Sequence, residues 1–152
     1  MHLSDLITTD AILPSLKASS KRALLSDLSV HAAKKIGTDK AFIFETLLER
    51  EQLGTTGLGK GVAIPHARME NLPGIIGFFT KLKSPINYDS VDKQPVDLVF
   101  LLLTPENAGA DHLKALALIS RFLKNQDVCA KLRACETSDA MYAVFKEFDD
   151  KM

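Results

Sequence analysis

The spacing of apolar residues divides the chain into segments of different period. Leu24, Leu28 and Ala32 fall on one helical face, with Ser19 or Ser20 placed to cap the start and Gly37 just past the end, so a helix is expected to about Lys35. A second helix is expected from its cap, Asp39, to about Gln52. Ile43, Phe44, Leu47 and Leu48 supply its stripe and Gly54 its stop. The helical period then fails. Glycines crowd positions 54, 57, 59 and 61, and Val62-Ala63-Ile64 reads as a brief buried strand that ends at Pro65 and delivers His66. Asn71-Leu72-Pro73-Gly74 is a turn, and Ile75 to Leu82 a nearly continuous apolar strand. Ser84-Pro85 and Gln94-Pro95 bracket a polar connection. Val96 to Leu103 is the most hydrophobic run, expected as a central strand buried on both faces and ended by Thr104-Pro105.

Beyond a flexible turn at Asn107 to Asp111, a third helix is expected to put Leu113, Leu116, Ile119 and Leu123 in the core, with His112 at its start. Two short helices follow, one from Asn125 or Asp127 with Val128 and Leu132, the other from Thr137 or Ser138 with Met141, Phe145 and Phe148. Near the N-terminus, Ala11-Ile12-Leu13-Pro14 reads as a short edge strand or an extended lead-in, because Pro14 removes a backbone donor. Helices packed on a small mixed sheet are the economical arrangement of these pieces. The expected fold class is therefore α/β: a single-domain sandwich over residues 1–152, a mixed β-sheet flanked by helices.

Composition narrows the function classes. A chain of 152 residues is long enough to bury roughly 70% of its unfolded surface without disulfides or metals. Lysine plus arginine equals aspartate plus glutamate at 19 each, with no long basic run, which argues against nucleic acid or an anionic membrane as partner. Cys129 and Cys135 match neither a redox C-x-x-C nor a zinc pattern and suggest a reducing compartment. No stretch approaches the ~18 apolar residues of a membrane span, and Met1 to Leu6 lacks a leader-like pattern. A cytoplasmic location is expected.

Candidate chemistry concentrates at Gly54 to Arg68. A histidine beside a glycine-rich loop can be nucleophile, base or metal ligand. The loop is not a nucleotide-binding P-loop: Gly61 stands where Ser or Thr is required, and the segment runs from helix to strand instead of strand to helix. Val62 breaks the G-x-G-x-x-G of a dinucleotide site. The histidines at 2, 31, 66 and 112 are scattered, so no metal and no cofactor is expected. No G-x-S-x-G points to a serine hydrolase. What remains is His66, Arg50 four residues ahead of the loop, and His112 opening a later helix. These parts suit a transferable phosphoryl group: imidazole nitrogen as acceptor, guanidinium forked on phosphate oxygens, loop amides around Gly57, Gly59 and Gly61 completing a cradle, and His112 holding His66 by a hydrogen bond. Arg50 is equally explained as a cation compensating a helix C-terminus. Leu58 and Ile64 are open to two readings, rim or core.

Leu47-Leu48-Glu49-Arg50-Glu51, Thr56-Gly57-Leu58-Gly59-Lys60-Gly61-Val62-Ala63-Ile64-Pro65-His66, Gln94-Pro95-Val96-Asp97-Leu98 and His112-Leu113-x-x-Leu116 resemble the enzyme IIA domains of the fructose/mannitol type (EIIA type-2) in the bacterial phosphoenolpyruvate-dependent phosphotransferase system. The resemblance covers essentially the whole chain and is greatest to the family's nitrogen-regulatory branch. It implies a phosphotransferase without cofactor or metal, in which His66 is phosphorylated, at the tele nitrogen, by a small HPr-like carrier of the NPr type, with Arg50 and His112 as supporting residues. It further implies regulation of target proteins, with potassium transporters and sensor kinases as possible targets. Alternatives are a sugar-pathway subunit passing phosphate to a IIB protein and a binding-only module with a vestigial site. At the start of a helix, His112 is expected to be neutral and to act as a hydrogen-bond donor.

Overall fold

Thirteen short elements alternate in a way that only a mixed sheet can accommodate, and the computed structural model describes them over all 152 residues. The strands are β1 (Ile12–Leu16), β2 (Gly57–Gly59), β3 (Val62–Ala63), β4 (His66–Met69), β5 (Ile76–Ile86) and β6 (Val96–Pro105). The helices are α1 (Lys21–Ile36), α2 (Lys40–Gln52), α3 (Ala110–Lys124), α4 (Gln126–Ala134) and α5 (Ser138–Asp150), with single 3-10 turns at Leu3–Asp5 and Thr9–Ala11. The sheet runs β1-β5-β6-β3-β2, and β4 pairs with β6 beyond β3. β6 is antiparallel to β5 and parallel to both β3 and β4. A strand enclosed on both edges and both faces must be apolar throughout, and Leu98 to Leu103 are all fully buried.

Helix boundaries follow side-chain chemistry. Ser20, Asp39, Asn125 and Thr137 cap α1, α2, α4 and α5, each accepting a hydrogen bond from a first-turn amide. Gly37 ends α1 in the left-handed region at φ 79°. At the other end of the fold the Asp149 carboxylate of α5 accepts from the amides of Leu3 (2.7 Å) and Ser4 (3.0 Å), tying the first turn to the last helix. One apolar cluster of 40 buried residues runs from Leu3 to Phe145, with Phe79, Phe100, Phe122 and Phe145 packed ring against ring at its centre. No helix is long and apolar enough to cross a membrane.

Four local expectations are corrected. The glycine segment is a hairpin, β2 against β3, whose turn residues Lys60 and Gly61 both take positive φ (55° and 84°) as a two-residue type I′ connection requires. His66 does not end the strand before it but opens β4, because Ile64-Pro65 interrupts pairing and β6 then takes up a second parallel segment. β5 continues through Ser84-Pro85 to Ile86, since pairing with β1 ends at Leu82 and the register with β6 shifts between Lys81 and Ile86, so Pro85 falls where the ladder is interrupted. In α3 the buried residues are His112, Ala115, Leu118, Ile119, Phe122 and Leu123, so Ile119 and Leu123 lie in the core as expected and Leu116 is half-buried, whereas Leu113 is 65% exposed. Turning His112 toward β6 carries its neighbour out to solvent.

Candidate functional site

Three elements converge on a cleft of about 550 Å³ lined by Thr46, Glu49, Arg50, Gln52, Leu53, His66, Ala67, Arg68 and His112. α2 brings Arg50 in its last turn, β4 brings His66 and Arg68, and α3 brings His112 in its first turn. The predicted trio of His66, Arg50 and His112 is therefore brought together.

His66 is placed by main chain. Its strand pairs with β6 through His66↔Leu102, and the Leu102 amide donates to Pro65 O at 3.0 Å. Nδ1 of the half-buried ring lies 2.8 Å from Ile64 O. A carbonyl can only accept, so Nδ1 carries the proton and Nε2 holds the free lone pair. Burial pushes the imidazole pKa down from its ordinary value; the bond to Ile64 opposes this, and the charge of Arg50 adds to it. The ring is thus a neutral base with one available nitrogen at physiological pH.

His112 is 6% exposed, and its ring centroid is 5.7 Å from that of His66, tilted by 53°. Its pKa falls to about 4, first through burial, then through the nearby charges of Arg68 and His66. The shift is in the direction of the expected neutral ring, with burial and not the helix start as its first cause. The expected hydrogen bond between the two histidines is not: His66 Nδ1 is spent on Ile64 O, and His112 Nδ1 faces Thr104 Oγ1 at 2.6 Å.

Arg50 donates from one guanidinium nitrogen to Gly54 O at 2.9 Å, just beyond the helix end, and has no carboxylate within ion-pair distance. Helix-end compensation and a charge facing the cleft therefore coexist in one side chain. Arg68 is the residue the sequence reading missed. It follows His66 by two positions on β4, so both project from the same side of the strand while Ala67 and Met69 are buried on the other. Period-two alternation in His-Ala-Arg-Met was the available signal, hidden in a strand of four residues.

The glycine cradle is not formed. None of Gly57, Gly59 and Gly61 lines the His66 cleft. The absent side chains are demanded by the protein's own neighbours: a Cβ on Gly57 would collide with Ser90, one on Gly59 would lie 3.1 Å from Asp92 Oδ2, and one on Gly61 would lie 2.5 Å from an Arg133 nitrogen. Nearby amides are also spent, Thr56 N on Glu51, Gly57 N on Thr55 Oγ1 and Lys60 N on Asp92. Ile64 is core at 3% exposure, and Leu58 edges a different, larger cavity of about 760 Å³ beside Lys60, Leu123 and Arg133. Volume alone would direct attention there, but His66 and His112, with the guanidinium groups of Arg50 and Arg68, are in the smaller cleft.

Residues 5–148 match the family model described as "Phosphoenolpyruvate-dependent sugar phosphotransferase system, EIIA 2". The nitrogen regulatory protein of Bradyrhizobium diazoefficiens is 53% identical over 144 residues, 95% of this chain and 94% of that protein. The crystal structure of nitrogen regulatory protein IIA-Ntr from Neisseria meningitidis superposes with a TM-score of 0.89 at 30% identity, covering 94% of this chain and 98% of that one. The mannitol enzyme IIA of Escherichia coli, determined in complex with phosphorylated enzyme IIB, shares the fold at a TM-score of 0.79 and 16% identity, covering 93% of this chain and 99% of that one. The chain accordingly belongs to the EIIA type-2 family of the phosphoenolpyruvate-dependent phosphotransferase system, and within it to the nitrogen regulatory IIA proteins.

Proposed function

We propose that His66 carries a phosphoryl group transiently, accepted at Nε2 (the tele nitrogen) from a phosphohistidine on a small HPr-like carrier, itself charged from phosphoenolpyruvate through an enzyme I. The phosphorylated and free forms then bind target proteins differently. One observation carries this reading: the Ile64 carbonyl holds the Nδ1 proton and leaves Nε2 free in a cleft with two guanidinium groups that lack carboxylate partners.

In the step, the Nε2 lone pair of His66 forms the new N–P bond while the carrier's N–P bond breaks and returns its electron pair to the carrier's ring. Positive charge then develops on the His66 ring, and the Ile64 carbonyl stabilises it through the Nδ1 proton. Arg50 and Arg68 offset the charge on the phosphoryl oxygens, and His112 contributes a neutral donor. Transfer between two nitrogens asks for little beyond positioning and charge neutralisation. Leu53, 86% exposed, lines this cleft and offers apolar area to a docking carrier.

Incubation with enzyme I, the nitrogen-type carrier and phosphoenolpyruvate is expected to add one acid-labile phosphoryl group, and His66→Ala to abolish it. Label persisting in that variant would refute the assignment. A second reading, a IIA that passes phosphate onward, is favoured by the fold shared with the mannitol protein that binds IIB. Purified fructose or mannitol IIB would discharge the labelled protein under that reading and leave it charged under the first. Potassium transporters and sensor kinases are the target classes to compare against wild type and His66→Ala in pull-downs.

A further inference from the structure

Two histidines share the cleft, and nothing in their chemistry as isolated side chains says which one accepts the phosphoryl group. The distinction is made by their Nδ1 partners. For His66 the partner is a carbonyl, which fixes the proton on Nδ1. For His112 it is the hydroxyl of Thr104, 2.6 Å away, and a hydroxyl can donate or accept.

The surroundings of Thr104 decide the direction. The residue lies on β6, where its register partner is Arg68 of β4, and it is fully buried. Its oxygen has no hydrogen-bond partner except His112 Nδ1. Were His112 to donate from Nδ1, the Thr104 proton would have no acceptor in a place without water access, the costly way to leave a buried hydroxyl. If the hydroxyl donates, its proton is used and only oxygen lone pairs go unfilled, which is the cheaper omission. His112 is neutral, so its single proton then resides on Nε2.

We propose that Thr104 is a positioning residue of the phosphoryl site: by donating to His112 Nδ1 it presents His112 as an Nε2–H donor, and thereby leaves His66 as the one nucleophilic imidazole of the pair. The two rings are protonated on opposite nitrogens. In the other tautomer His112 would hold a bare Nε2 lone pair beside His66, repelling phosphoryl oxygens and competing for phosphorus. The catalytic consequence rests on the function proposed above for His66, but the tautomer does not.

Nitrogen-15 spectra of the unphosphorylated wild-type protein, with no carrier present, test the first half. The His112 Nδ1 resonance is expected to be of the unprotonated, hydrogen-bonded type and Nε2 of the protonated type. A protonated Nδ1 would overturn the proposal whether or not His66 is the phosphoryl acceptor. Thr104→Val, which removes the hydroxyl at nearly constant shape, and Thr104→Ser, which keeps it, test the second half. The Val variant is expected to shift the His112 Nδ1 resonance toward that of an unbonded nitrogen and to slow phosphorylation on the order of tenfold, the size of one lost oriented hydrogen bond. The Ser variant is expected to restore both. Equal rates and resonances in wild type and Val variant would refute the role, while loss of label only in His66→Ala would leave the acceptor assignment standing.

Discussion

Arg50 and Glu51 are consecutive residues in the last turn of α2, and their charges meet opposite fates. Glu51 is swallowed: its side chain is 6% exposed, it pairs with Lys21 Nζ at 2.6 Å, and it accepts from the Thr56 amide at 3.2 Å, the Thr56 hydroxyl and Tyr88 OH at 3.1 Å. Lys21 also lies over the Tyr88 ring, 4.6 Å from its centroid. The cluster ties α1, α2, the segment before β2 and the connection after β5 into one knot. Burial and the neighbouring Glu51 charge push the Tyr88 pKa well up, so this phenol stays a donor. Arg50, one residue earlier, has a single carbonyl partner and no counter-charge. A charge whose partners are all within the protein stabilises the fold; one left without a partner in an open cleft is available to a ligand. Both residues carry a full charge in the same helical turn, and completeness of pairing separates their roles.

The strongest way to break that contrast is Glu51→Ala. It leaves the Lys21 ammonium without its counter-charge and Tyr88 OH and Thr56 N–H without acceptors, and a loss of about 3–5 kcal/mol of unfolding free energy is expected in urea titrations. Destabilisation under about 1 kcal/mol would show that the cluster is not a structural knot. Arg50→Ala should do the reverse. Stability is expected to stay within about 0.5 kcal/mol of wild type, while the phosphorylation rate falls roughly 10²–10³-fold, the usual effect of removing one preorganised charge-stabilising donor. A variant that unfolds easily but transfers phosphate normally would assign Arg50 to helix-end compensation alone.

Acid titration gives a smaller effect. The His112 pKa of about 4 lies below the ordinary value of 6.5, and that of His66 is lowered too. The unfolded chain therefore takes up these protons first. The stability these groups contribute is complete above about pH 6.5 and is lost as pH falls through the folded values. Between pH 7 and 4 a loss of about 2 kcal/mol is expected from His112, discounted because its ring edges an open cleft. Replacing His112 by Gln should flatten that part of the stability profile, as read from urea midpoints at each pH.

The helices were legible because their signals are local. Ser20, Asp39, Asn125 and Thr137 each cap through an amide two or three residues away, and Gly37 sits at the left-handed end of α1. The trio of His66, Arg50 and His112 was legible through its motif strings. The glycines were misread because their density reports only that something approaches the backbone closely, not what does. Here the approaching groups are Ser90, Asp92 and Arg133, all far along the chain. Leu113 was misplaced because the apolar stripe of α3 is wide, and a polar residue, His112, takes one of its inward positions to reach Thr104. Local spacing cannot rank a buried imidazole above an exposed leucine.

The bond between His66 and the Ile64 carbonyl also bears on redesign. The partner that sets the proton of His66 belongs to the main chain, and Pro65 between them has a constrained φ. No side-chain substitution deletes that carbonyl, so the accepting atom is inherited with the backbone itself. The proposed aids to transfer, Arg50, Arg68 and the hydroxyl of Thr104, are all side chains and each is open to point mutation. Drift or engineering in this protein can therefore retune the speed and partners of the site far more readily than it can move the site from one nitrogen to another.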